Sequence, residues 1–174
     1  MSATPPKRTL TVDEQFVLVP DAARDALAHR LFAVDSDAAR FLGWTVEEAE
    51  AAPDSHYTAV VSRRVADWAD GTRFCFTIRR RTDDVAVGAV ELRRDGDTAE
   101  VSYFVIPPYR AAGLATRSLV RMLEWATEEL RLAVAILTCS LENPASRRVA
   151  EKSGFALVAQ VGDELRFRRD LTLG

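Results

Sequence analysis

The chain has 174 residues, 48% of them hydrophobic and 28% charged, with a formal net charge of −3 at pH 7. That length suits one domain able to bury roughly two-thirds of its unfolded surface, and the charge balance lacks the large basic footprint of a nucleic-acid binder. No apolar run approaches the ~18 residues of a membrane span, and the opening MSATPPKRTL has no apolar core, so no membrane contact and no signal peptide are expected and the location is read as cytoplasmic.

Residues 1–8, rich in Ser, Thr and Pro, read as a mobile tail ahead of a single domain over residues 9–174. Phe16 to Val19 reads as a strand stopped by Pro20, and Asp21 as the cap of a helix reaching Ala33. A second short helical stretch closes over Phe41 to Trp44, and a longer helix covers Asp54 to Ala69, after Pro53 and before Gly71. Phe74–Arg80, Val85–Arg93 and Glu100–Ile106 read as strands. They are joined by Thr82-Asp83-Asp84 and by Asp95-Gly96-Asp97, the second a good hairpin signal. The cluster Arg79, Arg80 and Arg81 reads as a solvated strand end.

Ala115, Leu119, Met122, Leu123, Ala126 and Leu130 recur at helical spacing, which predicts a helix over 113–130 with one buried face. Ala133 to Cys139 reads as a buried strand. Asn143 before Pro144 is a helix start, and Lys152 followed by Gly154 is a helix stop. Phe155–Gln160 and Glu164–Asp170 make a final hairpin. The pattern is α/β (α+β), a mixed sheet with helices on both faces. Cys75 and Cys139 lie in apolar stretches without metal spacing, so free buried thiols and no metal are expected.

The stretch 101–116, VSYFVIPPYRAAGLAT, has the order strand, tight loop, helix N-terminus. Small residues let the backbone approach a ligand, and a helix N-terminus offers unpaired N–H groups and about half a positive charge. This is a phosphate or pyrophosphate site in outline. The Lys and second Gly of a G-x-x-x-x-G-K-[ST] loop are missing, and so is G-x-G-x-x-G. What remains, R-x-x-G-x-A over Arg110 to Ala115, resembles the acetyl-coenzyme A loop Q/R-x-x-G-x-G/A of the GNAT N-acetyltransferase superfamily. A second block, NPASRRVAEKSGF at 143–155, follows one helix and one strand later. It is similar to the superfamily's N-x-x-S-x-x-x-x-E-K-x-G-F, with matches at Asn143, Ser146, Glu151, Lys152, Gly154 and Phe155. The branch it resembles most is that of the ribosomal-protein N-terminal acetyltransferases (RimJ/RimL-like). The resemblance is strong over Arg73 to Phe155 and covers the first seventy residues only in layout.

The resemblance implies a mostly antiparallel sheet whose central strands, holding Val105 and Thr138, splay apart to admit the thioester arm of acetyl-coenzyme A. It implies pyrophosphate contacts from the backbone of Ala111, Ala112, Gly113, Leu114, Ala115 and Thr116, with added charge from Arg110. Phe104, Val105 and Ile106 would pair with the pantetheine arm as an added strand, and a backbone N–H there would face the oxyanion. Asn143 is a helix cap that could also bond the arm. Ser146 would help the thiolate leave, since Arg147 to Gly154 holds none of the Tyr residues that other members use there. Glu100 is the candidate base. Each has a plainer reading as well: Arg110 closing the loop, Ser146 an ordinary helix serine, Glu100 an exposed strand-end carboxylate, Tyr103 core or pocket wall. Relatives often carry Gly at Ser102 and Trp at Phe104, so the acceptor side departs from the branch.

The partner is then an amine acceptor, with no nucleic acid and no membrane. Homodimers are frequent in the branch, although no stretch of this chain marks a homodimer interface. Neutralising a Lys-like amine of pKa about 10.4 costs roughly 4–5 kcal/mol at pH 7, against about 1 for an α-amine of pKa about 7.8. A single Glu base suits the second, which favours a peptide N-terminus. A small amine such as a polyamine, amino acid or aminoglycoside-like molecule is the alternative. A module that binds acetyl-coenzyme A without turnover is the third reading. The acceptor pocket is expected from the N-terminal helices and the last hairpin, with His29, Trp44, His56, Tyr57 and Trp68 as its polar-aromatic candidates.

Overall fold

In the computed structural model, which describes residues 4–171, the chain runs in this order: β1 (Leu10–Thr11), β2 (Phe16–Pro20), α1 (Ala26–Ala33), α2 (Ser36–Leu42), α3 (Val46–Ala51), α4 (Asp54–Ala69), β3 (Arg73–Arg80), β4 (Ala86–Asp95), β5 (Thr98–Val105), α5 (Leu114–Leu130), β6 (Val134–Ser140), α6 (Pro144–Lys152), β7 (Ala156–Val161) and β8 (Glu164–Asp170). The strands form one sheet in the order β1-β2-β3-β4-β5-β6-β8-β7. Each neighbouring pair is antiparallel except β5 with β6. This is the expected mixed, mostly antiparallel sheet.

Strand periodicity sorts the side chains onto two unlike faces. Phe74, Phe76, Val90, Leu92 and Val101 are fully or nearly buried in the main core with Leu119, Met122, Leu123 and Trp125 of α5. Trp68, in the last turn of α4, joins that core and lies 5.6 Å from Trp125 between ring centroids. Cys75, Thr77, Arg79 and Glu91 alternate with these apolar residues and are buried as well, facing polar partners from the segment before α1 and from α4. One face is therefore apolar and closed. The other has a polar floor.

Local chemistry explains most boundaries. Asn143 Oδ1 accepts from Ser146 N at 3.0 Å, with Pro144 at the first position of α6, as the sequence predicts. α4 spans the expected residues. Three expectations change. Asp21 caps nothing: a 3-10 turn over Ala23–Asp25 precedes α1, and Asp25 Oδ2 accepts from Ala22 N. Asp21 instead lies buried beneath α1, where His29 and Thr77 hold it. The single stretch expected to close at Trp44 is two helices, since Gly43 at φ 86 ends α2 and a Thr45–Glu48 capping box opens α3. Arg79 is not solvated but buried against Asp25. In the stretch expected to be mobile, residues 1–3 lie outside the described residues. Thr4 Oγ1 and Pro5 O hydrogen-bond to Ala69 O and Trp68 Nε1 of α4.

Candidate active site

The parallel pair β5–β6 is joined only at Thr98↔Val134, Ala99↔Ala135 and Glu100↔Ile136. Beyond that point each strand follows its other neighbour. β5 stays paired with β4 as far as Val105↔Gly88, and β6 with β8 as far as Ser140↔Glu164. A gap opens between them, as the resemblance implied. Ile106 N donates to Val87 O at 2.9 Å on the β4 side, so by alternation the backbone groups of Tyr103 and Val105 turn toward the gap. Those of Phe104 and Ile106 turn away from it. Of the three residues expected to meet a ligand arm there, Val105 is the one whose backbone faces the gap. The close approach of β4 to this stretch needs Gly88, where a Cβ would stand 2.3 Å from Phe104 O and 3.1 Å from Val105 Cα.

After β5 a 3-10 turn over Pro107–Tyr109 leads into the loop. Ala111 and Gly113 both adopt left-handed backbone, at φ 62 and 73, and α5 then begins with Arg117 N donating to Gly113 O. Among the described residues, no protein group accepts from the six successive N–H groups of Ala111 to Thr116. These residues fit a pyrophosphate: a run of free donors at the N-terminus of a long helix. The Arg110 side chain contributes differently from expectation. Its Nε donates to Val105 O at 2.8 Å, and its Nη atoms reach Asp35 and Asp37 at 2.7 Å each. Two aspartates balance its charge, so the donors this loop can offer an anion are those of the backbone. Arg117 is committed too, to Asp13 and Ala112 O.

Across the gap stands Ser146, in the first turn of α6, with Oγ 2.7 Å from Tyr103 Oη. Burial pushes the Tyr103 phenol up to about 12, although its bond to Ser146 pulls the other way. The phenol therefore stays protonated at neutral pH and can serve as a donor. Burial likewise raises the neighbouring Cys139 thiol. Sequence alternation places Tyr103 on the face opposite Glu100, Ser102 and Phe104. Its pairing with Ser146 is a contact between distant segments that no local pattern announces.

Alongside β5, a cavity of about 620 Å³ lies between α1–α4 and the sheet, with Ser102, Tyr103 and Phe104 on its lining. His29, Arg64, Cys75 and Glu91, also on the lining, belong to a polar network that continues beneath it. His29 Nε2 lies 2.9 Å from Asp21 Oδ2, and Thr77 Oγ1 donates to Asp21 Oδ1 at 2.8 Å. Arg64 bridges Asp21 and Glu91 at 3.4 and 3.5 Å, and Arg73 Nη2 reaches Glu91 at 2.6 Å. Burial pushes both carboxyls up. His29, Arg64 and Thr77 together outweigh it at Asp21, and Arg73, Arg64 and Cys75 together outweigh it at Glu91, so both titrate below the ordinary range. His29, Trp44, His56 and Tyr57 line the cavity, but Trp68 and the last hairpin do not. Glu100 is also outside that lining. It lies on β5 at the last pair before the gap, its side chain 54% exposed and 3.3 Å from Arg93.

Among the described residues no helix is long and apolar enough to cross a membrane, and no three His, Cys, Asp or Glu residues cluster as a metal site.

Residues 16–156 match a family model described as an acetyltransferase (GNAT) domain. No curated protein matches the chain in sequence. Among solved structures, the chain is similar to RimL, a ribosomal L7/L12 α-N-protein acetyltransferase in complex with coenzyme A. The identity is 15%, the match covers 94% of this chain and 98% of that one, and the TM-score is 0.83. It is similar to spermidine N-acetyltransferase from Vibrio cholerae in complex with coenzyme A and spermine, at 16% identity over 91% and 96% of the two chains with a TM-score of 0.78. Mycobacterium smegmatis RimJ in complex with CoA-disulfide gives 21% identity, 98% and 90% coverage and a TM-score of 0.77. At these identities the likeness speaks for the fold.

Proposed function

The chain belongs to the GNAT acetyltransferase family, and from that premise we propose that it moves an acetyl group from acetyl-coenzyme A to a primary amine, the α-amine of a protein or peptide N-terminus. One observation carries the reading: Ser102, Tyr103 and Phe104 of β5 line the acceptor-side cavity, Tyr103 also meets Ser146 at the gap, and the free N–H run of Ala111 to Thr116 follows the strand.

Acetyl-coenzyme A, when bound, supplies a thioester carbonyl open to attack by a neutral amine and a thiolate that must leave. The backbone of Ala111 to Thr116 holds the pyrophosphate. The N–H of Val105 faces the gap and can donate to the arm or to a developing oxyanion. Ser146 holds a proton at Oγ for the leaving thiolate, and Tyr103 orients that hydroxyl through their 2.7 Å contact. Glu100 can take the amine's proton only from the exposed end of the strand, through water.

The α-amine is favoured over a polyamine by the charge of the cavity. Its buried carboxylate, Glu91, is already matched by Arg64 and Arg73, which leaves little to attract a second ammonium group. Thiol release from acetyl-coenzyme A, followed with peptides of varied N-termini and with small amines including spermidine, tests the reading. Turnover with peptides above that with spermidine is expected. Cofactor binding without turnover on either panel would overturn it.

A further inference from the structure

We infer that the acceptor amine is carried next to a large apolar group, aromatic or branched aliphatic, which seats between α1–α4 and the sheet. This rests on the acetyl-transfer reading and names its substrate class. Three features of the cavity support it.

The walls are apolar. Phe32, Trp44, Tyr57, Val60 and Phe104 face the space, and the Phe32 and Phe104 rings lie 5.1 Å apart between centroids. Tyr57 and Trp44 spend their polar atoms on backbone carbonyls, Ala49 O and Ala33 O, and so present ring surface inward.

The space is made by small residues. Ala33, Ala38, Ala49 and Ala52 line it from α1, α2 and the region of α3, where larger side chains would close it. A volume of about 620 Å³ falls within the ~300–1,000 Å³ of small-ligand sites, far more than a bare amine requires.

The charged groups at the floor are committed. Glu91 is held by two arginines. Glu48, the other carboxylate on the lining, takes Thr45 N and Thr45 Oγ1 at 2.8 and 3.1 Å as part of the α3 capping box. His29 and Arg64 are tied to Asp21. Deep in the cavity a second ammonium group finds no unmatched carboxylate, Glu48 being at the exposed rim with both Thr45 bonds on Oε2, whereas an apolar group finds aromatic walls beside Ser102 and Phe104, next to the gap.

The test uses the full chain and amides of single amino acids, whose α-amines are alike and whose side chains differ: glycinamide, leucinamide and phenylalaninamide, with spermidine for comparison. Burying one large side chain should raise kcat/KM about ten- to a hundredfold from glycinamide to phenylalaninamide, with spermidine no better than glycinamide. Val60→Trp, which fills the cavity from α4, should bring the phenylalaninamide-to-glycinamide ratio near one. Calorimetric binding of the same amides in the presence of coenzyme A runs in parallel. A flat series in both turnover and binding, or a preference for spermidine, would overturn the inference. Graded binding without thiol release from any amide would support the substrate class and overturn the transfer reading instead.

Discussion

Arg110 Nη2 lies 2.7 Å from Asp35 Oδ1, and this ion pair ties the candidate cofactor loop to the first turn of α2. The same guanidinium holds Val105 O at the gap and stacks 5.4 Å above the Phe104 ring on the cavity wall. One side chain therefore links three parts of the site. Asp35 also caps α2 through Ala38 N. An Asn can keep that cap and still accept from the guanidinium, but it loses the carboxylate's charge, so Asp35→Asn should cost about 1 kcal/mol of stability and raise KM for both acetyl-coenzyme A and the amine. Asp37→Asn, at a side chain 64% exposed, should do much less. Chemical denaturation and two-substrate kinetics on the two variants check the contrast. Equal effects would mean that the clamp has no geometric role.

The Tyr103–Ser146 contact sets a second expectation. Ser146→Ala should lower kcat about a hundredfold, the low end of general-acid effects, with KM for the amine little changed. Tyr103→Phe keeps the serine and should cost less. Because the folded-state value of Tyr103 is raised from 10.0 to about 12, its contribution to stability is complete below pH 10 and is lost as pH rises from 10 toward 12. Denaturation midpoints should fall over that window in the parent chain, and Tyr103→Phe should remove its share of the slope. A parent chain whose stability is flat there would contradict the burial argument.

Much of this architecture is legible in the sequence because its signals are local. The Asn143–Pro144 start, the α5 stripe and the strand–loop–helix order of residues 101–116 each lie within one element, and each element is found where expected. The Thr45–Glu48 capping box was readable too, and would have split the helix expected to end at Trp44. What is not legible depends on partners far along the chain. Asp21 looks like a cap until Thr77, 56 residues away, claims its Oδ1. Arg110 looks like an anion ligand until Asp35, 75 residues away, neutralises it. Tyr103 looks like core until the splayed sheet brings Ser146 against it. Charge pairing and strand divergence, rather than propensity, decide these roles.

Glu100 poses a question of magnitude. A general base in contact with its proton contributes ~10²–10⁴-fold. A carboxylate 54% exposed, paired with Arg93 and outside the cavity lining, is placed for less. Glu100→Gln should keep kcat/KM within about tenfold of the parent chain, a loss smaller than that general-base range, and should leave the pH profile governed by the amine itself. A loss beyond a hundredfold, with loss of the acidic limb, would show that the carboxylate takes the proton.

The two left-handed residues of the loop make a matched pair. Ala111 at φ 62 carries a Cβ where the backbone disfavours one, at a cost of ~1–2 kcal/mol. Gly113 at φ 73 avoids that cost. Ala111→Gly relieves the strain but frees the unfolded chain by ~0.4–1 kcal/mol, so a net gain of about 0.5–1 kcal/mol is expected. Gly113→Ala adds strain instead. Its new Cβ would meet Arg117 Nη1 at 3.2 Å, the movable end of a long side chain, so the backbone term dominates and a loss of ~1–2 kcal/mol is expected. Thermal denaturation should move in opposite directions for the two variants, and KM for acetyl-coenzyme A should rise in Gly113→Ala as the N–H run of residues 111–116 is displaced. Shifts of the same sign would mean that the loop relaxes out of its left-handed conformation in solution, and that the free N–H groups are not held ready for a pyrophosphate.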